Sequence, residues 1–454
     1  MSEAKPQVIL RMGSHSEKEY IQKTLKFFDG VMVGANLLQI SPGATASLLF
    51  KLHGETRRPY YIDPMTYAFG SYFDPEVSQV RDDLDWIKSL QKVPGRKGVR
   101  EKRFKGSYRK LADEFGPPFS TCLDRGVAIN QRDFSDDLIY SACESVLSFQ
   151  AERLREVFRE DPQTESFADA LPRPAALFAP YFYIEPNRSQ EWITLNNRLA
   201  RAAMKQARFE TPIHVVVCAH LEVLTNRKLA SPVIENLQAC KPDGVWLWFS
   251  RLDERFQEPD ELLALRWWVE QLASSTRVFN MHGGFYSLAL SKYGMVGTAH
   301  GVGYGEQKDV IPVIGQSTPT VQYYVRALHA KYSVAQIQRS FSRLGIKTAS
   351  DFYGKICDCP ICKGVIGNDL DQFSQFGEIH YSTPKSKRAA QTPAAAKRCR
   401  YHFLLKRIEE RDYVGASTLD TILNDLKSSA ATWAPTAMLG TSIEHLLVWA
   451  NALS

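Results

Sequence analysis

The chain has 454 residues, of which 44% are hydrophobic and 23% charged, and this composition is typical of a folded protein with a large core. Its apolar stretches fall short of the ~18 residues that a membrane-spanning helix needs. Residues 1–5 contain nothing like the apolar segment of a signal peptide, and cysteines without a disulfide framework are typical of reducing compartments. We therefore expect a cytoplasmic protein that has no membrane partner.

Eight short apolar runs, each followed by polar or glycine-rich residues, predict buried strands. In chain order they are Val8–Gly13, Gly30–Gly34, Tyr60–Pro64, Leu177–Pro186, Ile213–His220, Gly244–Ser250, Arg277–Gly284 and Gly294–Gly301. Amphipathic stretches predict helices between the later strands, at Asp136–Glu160, Ser189–Arg208, Ser231–Cys240, Pro259–Ser274 and Tyr286–Lys292. Because continuous apolar strands that alternate with helices indicate parallel βα units, we predict an α/β fold, a (β/α)8 TIM-type barrel over residues 1–350. Residues 351–454 are predicted to form a zinc-binding and helical extension.

Polar side chains follow the carboxyl ends of these predicted strands, which is where the active sites of such barrels lie. The candidates are Asp63, Glu185, His220 with Glu222, Asp253 with Glu254, His282, and His300 with Glu306. The residues expected to contact a substrate are Glu185, His220, Glu254, His282 and His300. Each of them alone is more typical of a helix cap or a surface charge, so only their convergence would identify a site.

Three cysteines lie in the run Cys357–Cys362, with the spacing Cys-x-Cys-x-x-Cys. Thiols this close cannot all pair as disulfides, whereas three thiolates and one imidazole form a tetrahedral zinc shell. His402 is the favoured fourth ligand because the residues that follow it have the apolar pattern of a packed helix. His380 and Cys399 are the competing candidates. The predicted shell, Cys357, Cys359, Cys362 and His402, leaves no position for water, so we expect a structural zinc ion.

Two clusters of basic residues indicate a polyanionic partner. Residues 92–110 contain nine lysines or arginines and one acidic residue, and we expect them to form a segment inserted in the barrel. The second cluster lies between Cys362 and His402. Basic clusters neutralise phosphates and bind nucleic acids in a salt-dependent way, although each cluster alone is equally typical of a solvated loop. The candidate nucleic-acid contacts are Arg96, Lys97, Arg100, Lys102, Arg103, Lys105, Lys385, Lys387 and Arg388.

A Cys-x-Cys-x-x-Cys…His motif after a (β/α)8 barrel resembles the tRNA-guanine transglycosylase superfamily, and the resemblance covers roughly residues 55–415. The runs Arg58–Thr66, His300–Glu306 and Cys357–Cys362 look closest to the DpdA-type transglycosylases of DNA 7-deazaguanine systems. This resemblance implies an enzyme that exchanges guanine in DNA for a 7-deazaguanine base such as preQ0, through a covalent carboxylate–sugar intermediate. It also implies companion proteins, one of which hydrolyses nucleotides.

The resemblance assigns roles to some residues and leaves others open. It implies that Asp63 is the acid/base aspartate and that Glu254 contacts the base. In the tRNA enzymes the nucleophilic aspartate follows the last strand, where this chain has His300 and no aspartate. Asp253 and Glu306 are therefore the candidate nucleophiles. A tRNA substrate and a catalytically inactive subunit that binds nucleic acid are the alternative functions.

Overall fold

The computed structural model describes residues 5–71, 108–125, 127–302, 309–310, 320–381 and 389–454. Eight strands of the barrel lie within them: β1 Gln7–Met12, β2 Gly30–Gly34, β3 Tyr60–Asp63, β4 Leu177–Phe178, β5 Ile213–Ala219, β6 Gly244–Phe249, β7 Arg277–Asn280 and β8 Met295–Gly301. They form one parallel sheet in the order β3-β2-β1-β8-β7-β6-β5-β4. Between the two edge strands, the N–H of Ala175 donates to the carbonyl of Tyr60 (2.8 Å). The sheet is therefore a nearly closed barrel, and the predicted α/β barrel is confirmed.

Helices connect the strands and cover the sheet. They are α1 Lys18–Thr24, α2 Ala35–Ile40, α3 Pro42–Thr56, α4 Ala68–Ser71, α5 Phe119–Arg125, α6 Asp136–Arg159, α7 Ser189–Met204, α8 Leu221–Thr225, α9 Arg227–Cys240, α10 Pro259–Ala273 and α11 Phe285–Ala289. Residues 108–115 are also helical. Short 3-10 helices lie at His15–Glu17, Leu25–Phe27, Gln131–Asp133, Glu165–Ala170, Pro186–Arg188, Leu290–Tyr293, Arg326–Leu328, Leu370–Gly377 and Ala434–Leu439. No helix within the described ranges is long and apolar enough to span a membrane.

All eight predicted strands are present, but β4 ends eight residues before its predicted end. Pro180 has no N–H to donate to a neighbouring strand, and the N–H of Tyr181 donates instead to the hydroxyl oxygen of Thr66 (2.8 Å). All five predicted helices are present too. α9 begins four residues before its predicted start because Asn226 caps it, accepting from the N–H of Lys228 (3.0 Å).

Aromatic side chains fill the interior of the barrel. Trp246 of β6 stacks on Phe279 of β7 with ring centroids 4.5 Å apart, and its Nε1–H donates to Nδ1 of His214 on β5 (3.0 Å). Burial lowers the pKa of His214 to about 3, so the ring is neutral and accepts this bond. A Cβ at Gly244 would lie 2.7 Å from Nε2 of His214, so glycine leaves room for the imidazole. This packed interior fixes the strand ends that carry the candidate site.

The chain after β8 forms an extension of two strand pairs and several helices. β9 (Tyr323–Val325) pairs with β10 (Ala330–Tyr332), and β11 (Ile379–Tyr381) pairs with β12 (Ala389–Gln391), both antiparallel. Its helices are α12 Val334–Ser340, α13 Ala349–Lys355, α14 Pro360–Ile366, α15 Pro393–Ala416, α16 Leu419–Trp433 and α17 Glu444–Leu453. α15 packs on β1, β9 and α11, and α17 packs on α10. One apolar core therefore joins the extension to the barrel, and the predicted domain boundary at residue 350 stays a prediction.

Candidate functional site

Four side chains of the extension converge to form a candidate metal centre. The ligand atoms of Cys357, Cys359, Cys362 and His402 all lie within 4.8 Å of one another, and all four residues are buried. Their three Sγ atoms lie 3.8, 3.4 and 3.5 Å, respectively, from Nδ1 of His402. Because Zn–S is about 2.3 Å and Zn–N about 2.0 Å, a tetrahedral zinc shell separates sulfur from nitrogen by about 3.5 Å. The predicted residues therefore form a group that fits a zinc ion.

Main-chain contacts orient these ligands. The N–H of Cys359 points at Sγ of Cys357 (3.4 Å), and the N–H of Cys362 points at Sγ of Cys359 (3.5 Å), at the start of α14. On the other side, Nε2 of His402 donates to the carbonyl of Tyr324 (2.7 Å). Since this bond occupies Nε2, Nδ1 is the nitrogen left to bind a metal, which is the usual arrangement of a second contact behind a metal-bound imidazole.

Neither competing ligand belongs to the cluster. His380 is exposed on β11. Cys399 is buried one turn before His402 on α15, and its thiol donates to the carbonyl of Phe376 (3.3 Å) instead. The structure therefore places His402, and neither competitor, beside the three cysteines, because its position on a packed helix carries the imidazole into the cysteine loop.

At the carboxyl end of β3, Asp63 is the centre of a buried hydrogen-bond network. Its side chain is 1% exposed. Oδ1 accepts from the hydroxyl of Tyr181 (2.7 Å) and the N–H of Met65 (3.0 Å), and Oδ2 accepts from the guanidinium of Arg11 (3.2 Å). Arg11 also contacts Nε2 of His282, and because arginine only donates, this nitrogen is an acceptor. Arg11, which the sequence analysis missed, therefore links two of the predicted residues.

Two predicted substrate contacts serve as helix caps. The carboxylate of Glu254 accepts from the N–H of Gly284 (2.7 Å) and the N–H of Tyr286 (3.1 Å), and so holds the start of α11. Nδ1 of His220 accepts from the N–H of Glu222 (3.2 Å) and caps α8. Such contacts satisfy the free N–H groups of a first helical turn. Both carboxylate oxygens of Glu254 and Nδ1 of His220 are thus engaged by the backbone.

A cavity of about 720 Å³, here called the junction cavity, lies between the mouth of the barrel and the extension. Residues after β6, β7 and β8 form one wall, and residues of β10, α15 and α17 form the other. Its charged and aromatic lining includes Arg251, Asp253, Arg255, Phe256, Lys331 and Trp449. His282 also lines it, whereas Asp63 lies behind His282 in the Arg11 network.

His300 lines this cavity and has a ring nitrogen without a partner in the described structure. Its Nδ1 lies 3.1 Å from the carbonyl of Gly301, which only accepts, so Nδ1 carries the proton. Nε2 is buried and has no hydrogen-bond partner among the described residues. Burial, with Arg407 and Lys331 nearby, lowers the pKa of His300 to about 3, so its ring is neutral.

A second polar network in the cavity wall was missed by the sequence analysis. Glu410 on α15 is fully buried, and it accepts from Nδ1 of His329 (2.6 Å), the hydroxyl of Tyr324 (2.5 Å) and Arg407 (2.6 Å). Arg407 also donates to the carbonyl of Gly283 after β7 (3.1 Å). The only sign of this network in the sequence is the spacing of Arg407 and Glu410, which lie three positions apart and therefore face the same side of a helix. The network therefore connects α15 to the barrel.

The remaining predicted residues do not join these sites within the described structure. Glu185 is 3% exposed, and it is absent from the described lining of the junction cavity. Glu306 lies outside the described residues. So do all the predicted nucleic-acid contacts: Arg96, Lys97, Arg100, Lys102, Arg103, Lys105, Lys385, Lys387 and Arg388.

No protein-family model matches the chain, and no curated protein shows significant similarity to it.

Proposed function

We propose that the chain is a transglycosylase that exchanges guanine in DNA for a 7-deazaguanine base such as preQ0. The observation that carries this proposal is a pair of carboxylates around the barrel mouth. Asp253 lines the junction cavity, and Asp63 is connected to it through Arg11 and His282. A base exchange through a covalent sugar intermediate needs two such groups, one that captures the sugar and one that moves a proton.

Asp253 is the better nucleophile of the two. It is half-buried and borders the cavity, and its Oδ1 accepts from the N–H of Arg255 (3.2 Å), whereas Asp63 is 1% exposed and does not line the cavity. A carboxylate oxygen of Asp253 would attack the anomeric carbon while the bond from that carbon to guanine breaks. Asp63 then has the acid/base role that the family resemblance implies, here proton transfer to the departing guanine.

The cavity wall suits a sugar–phosphate ligand. Arg251, Arg255 and Lys331 bring positive charge to it, and cations of this kind contact phosphates. Phe256 lies at its edge with 70% of its surface exposed, where an aromatic ring can stack on an unpaired base. Since the target base must leave the helical stack before it reacts, a stacking ring and a cationic wall are the expected elements of such a site.

Zinc in the Cys357–Cys362 and His402 cluster would be structural in this enzyme. Four protein ligands complete a tetrahedral shell, and the ligand atoms are buried. His402 lies on the same helix as Phe403 and Arg407, which line the junction cavity. A bound metal would therefore hold one wall of the cavity in place, and no chemical step requires it.

The proposal is tested by incubating the protein with guanine-labelled DNA or tRNA in the presence of unlabelled preQ0. We expect label release from DNA and incorporation of preQ0. Release from tRNA alone would instead support a tRNA enzyme. Release from neither, together with salt-dependent binding to DNA, would support a nucleic-acid-binding subunit without catalysis. Because systems that resemble this chain use companion proteins, the assay is run with and without a cell extract and ATP.

Variants separate catalysis from folding. Asp253→Asn and Asp63→Asn should each slow exchange by on the order of 10³-fold, because positioned nucleophiles and proton-transfer groups contribute at least about 10²–10⁴-fold. Glu235→Gln, which changes an exposed carboxylate on the outer helix α9, is the control and should exchange at the wild-type rate. A covalent protein–DNA adduct that survives denaturation should form with wild type in the absence of preQ0 and be lost in Asp253→Asn. Wild-type exchange by Asp253→Asn would show that Asp253 is not the nucleophile.

A further inference from the structure

His329 lies in the turn between β9 and β10 in an unusual backbone conformation. Its φ is 46°, in the left-handed region that side chains other than glycine rarely adopt. Its ring stacks on Phe285 of α11, with centroids 3.4 Å apart and an interplanar angle of 12°. Backbone strain of this kind persists where surrounding contacts enforce it, and it concentrates at functional sites. The stack and the turn together fix the direction of the imidazole.

Glu410 sets the tautomer of His329. Although burial alone would raise it, the charge of Arg407 and the contact with His329 bring the pKa of Glu410 down to about 2, so Glu410 is a carboxylate and accepts. Nδ1 of His329, 2.6 Å away, must therefore carry the proton. Burial lowers the pKa of His329 below its ordinary value. The charge of Glu410 raises this pKa, and the charges of Arg326 and Arg407 lower it, so that the net direction is downward. His445 faces it from α17 and is buried and neutral, with its pKa lowered to about 4 by burial.

The opposite nitrogen of His329 is the one available to a ligand. Nε2 makes no hydrogen bond with any described residue, and the ring lines the junction cavity. His300 lines the same cavity, but its unpartnered Nε2 is buried in the wall. The described lining thus presents one neutral imidazole nitrogen, Nε2 of His329, that can accept a proton or a hydrogen bond. A planar heterocycle that carries N–H groups, as a purine or deazapurine does, has the donor that this nitrogen needs.

We propose that His329, oriented by Glu410, is the general base that deprotonates the incoming heterocycle in the junction cavity. The inference rests on the proposed base exchange. In this step a ring nitrogen of the heterocycle bonds to the anomeric carbon, the bond from that carbon to the carboxylate oxygen of Asp253 breaks, and the bonding pair returns to the carboxylate. The N–H proton moves to Nε2 of His329. The imidazolium is stabilised by Glu410, as in other carboxylate–histidine pairs, and then loses its proton to solvent.

Exchange kinetics provide the first test. In wild type the rate of preQ0 incorporation should fall as the pH drops below the pKa of His329, because the protonated ring cannot accept. His329→Asn should lower the rate by about 10²-fold or more and remove this acidic limb from the pH profile. Glu410→Gln should shift the limb, since it removes the charge that favours the imidazolium. His53→Asn changes a histidine before β3, at the opposite end of the barrel, and should leave rate and profile unchanged.

A second test does not depend on exchange. In protein labelled with 15N in its histidine rings, preQ0 alone should shift the Nε2 resonance of His329, and the Nδ1 resonance should be that of a protonated nitrogen. If no exchange is found on any polynucleotide but preQ0 shifts this resonance, the proposed function fails and the ligand site stands. A His329 resonance that preQ0 leaves unmoved, or an unchanged pH profile in a folded His329→Asn variant that still exchanges bases, would overturn the inference.

Discussion

Helices α6 and α15 both contain 24 residues, yet they are held in place by different interactions. α6 buries a hydrocarbon stripe that comprises Ile139, Ala142, Cys143, Val146, Leu147, Phe149, Leu154, Val157 and Phe158. α15 buries the metal ligand His402 and the charged residues Lys406, Arg407, Glu410 and Arg411. The first helix is fixed mainly by non-directional apolar burial, to which Gln150 adds two hydrogen bonds with the main chain of Phe178. The second is fixed by ligands and ion pairs, each of which requires one particular partner in one geometry.

This difference matches what the two helices do. α6 lies outside the barrel and needs only to cover it. α15 forms one wall of the junction cavity through Phe403 and Arg407, and its Glu410 orients His329. A wall that must hold a ring nitrogen at a defined position is better fixed by directional contacts than by apolar packing, which tolerates small shifts. The buried charges of α15 therefore belong to the site as much as to the fold.

Of the changes that distinguish the two helices, removing a metal ligand should have the largest effect, and it should act on α15. Cys359→Ser should abolish stoichiometric zinc binding, and because a structural zinc site contributes roughly 10–16 kcal/mol in small domains, the amino-terminal half of α15 should lose its position. Zinc content measured by mass spectrometry and limited proteolysis of the extension test this. Cys399→Ser, one turn from His402 but outside the cluster, is the matched control and should keep its zinc. A Cys359→Ser variant with full zinc content would contradict the assignment.

Glu410→Gln should have the next largest effect. The change leaves Arg407 buried without its counter-charge, and breaking a buried ion pair from one side destabilises proteins by about 3–5 kcal/mol. Chemical denaturation of the zinc-bound protein measures the loss. Glu235→Gln is again the control, since its carboxylate is exposed on α9, and it should change the free energy of unfolding by less than about 0.5 kcal/mol.

The loss of stability caused by Glu410→Gln should depend on pH, and the pKa of Glu410 gives the direction. The pKa of Glu410 is about 2 in the folded chain, against an ordinary value of 4.5, so the unfolded chain binds more protons between these values. The stabilisation is complete above the ordinary pKa and disappears as the pH falls through the folded value. The difference in unfolding free energy between wild type and Glu410→Gln should therefore shrink from pH 5 toward pH 2. A difference that stays constant over this range would show that Glu410 is not ionised in the folded protein.

The sequence predicted α6 to within one residue, because its apolar residues recur at helical spacing. Six of the eight strands were predicted to within one residue, and β7 ends four residues before its predicted end. β4 was overextended because Pro180 has no N–H and the N–H of Tyr181 bonds to Thr66 instead of to a neighbouring strand. On α15 only the residues from His402 onward were recognised as helical, since half of its ten buried residues are charged or histidine and apolar periodicity does not detect such a face.

The site residues also divide into those that a local sequence pattern predicts and those that only the folded chain brings together. Cys357, Cys359 and Cys362 could be predicted because their chemistry depends on short spacing along the chain. The bonds from Arg11 to Asp63 and from His329 to Glu410 join residues 52 and 81 positions apart. No local pattern predicts such pairs, because they form only when the barrel closes and the extension packs on it.

Leu147→Ala tests the apolar side of the comparison. Leu147 is fully buried on α6, and truncation leaves a cavity, so we expect a loss of about 3 kcal/mol in the free energy of unfolding. Zinc content and the pH profile of exchange should not change, because the change is distant from the cluster and from His329. Denaturation and metal analysis of the same preparation decide this. If the variant lost zinc, the two helices would be coupled more closely than their contacts indicate.

The smallest expected effects come from the caps of the two helices. Ser135 accepts from the N–H of Leu138 (3.3 Å) at the start of α6, and Thr392 accepts from the N–H of Ala395 (3.1 Å) at the start of α15. Ser135→Ala and Thr392→Ala should each reduce stability by about 1 kcal/mol in the zinc-bound protein, with Thr392 somewhat more because its hydroxyl also donates to Glu378 (3.1 Å). After chelation the two should diverge. Ser135→Ala should keep its effect because apolar burial still holds α6, whereas Thr392→Ala should lose it, since the start of α15 then has no ordered turn to cap. Equal effects in the chelated protein would mean that α15 folds without metal, and that the directional contacts around Glu410 suffice to hold the cavity wall.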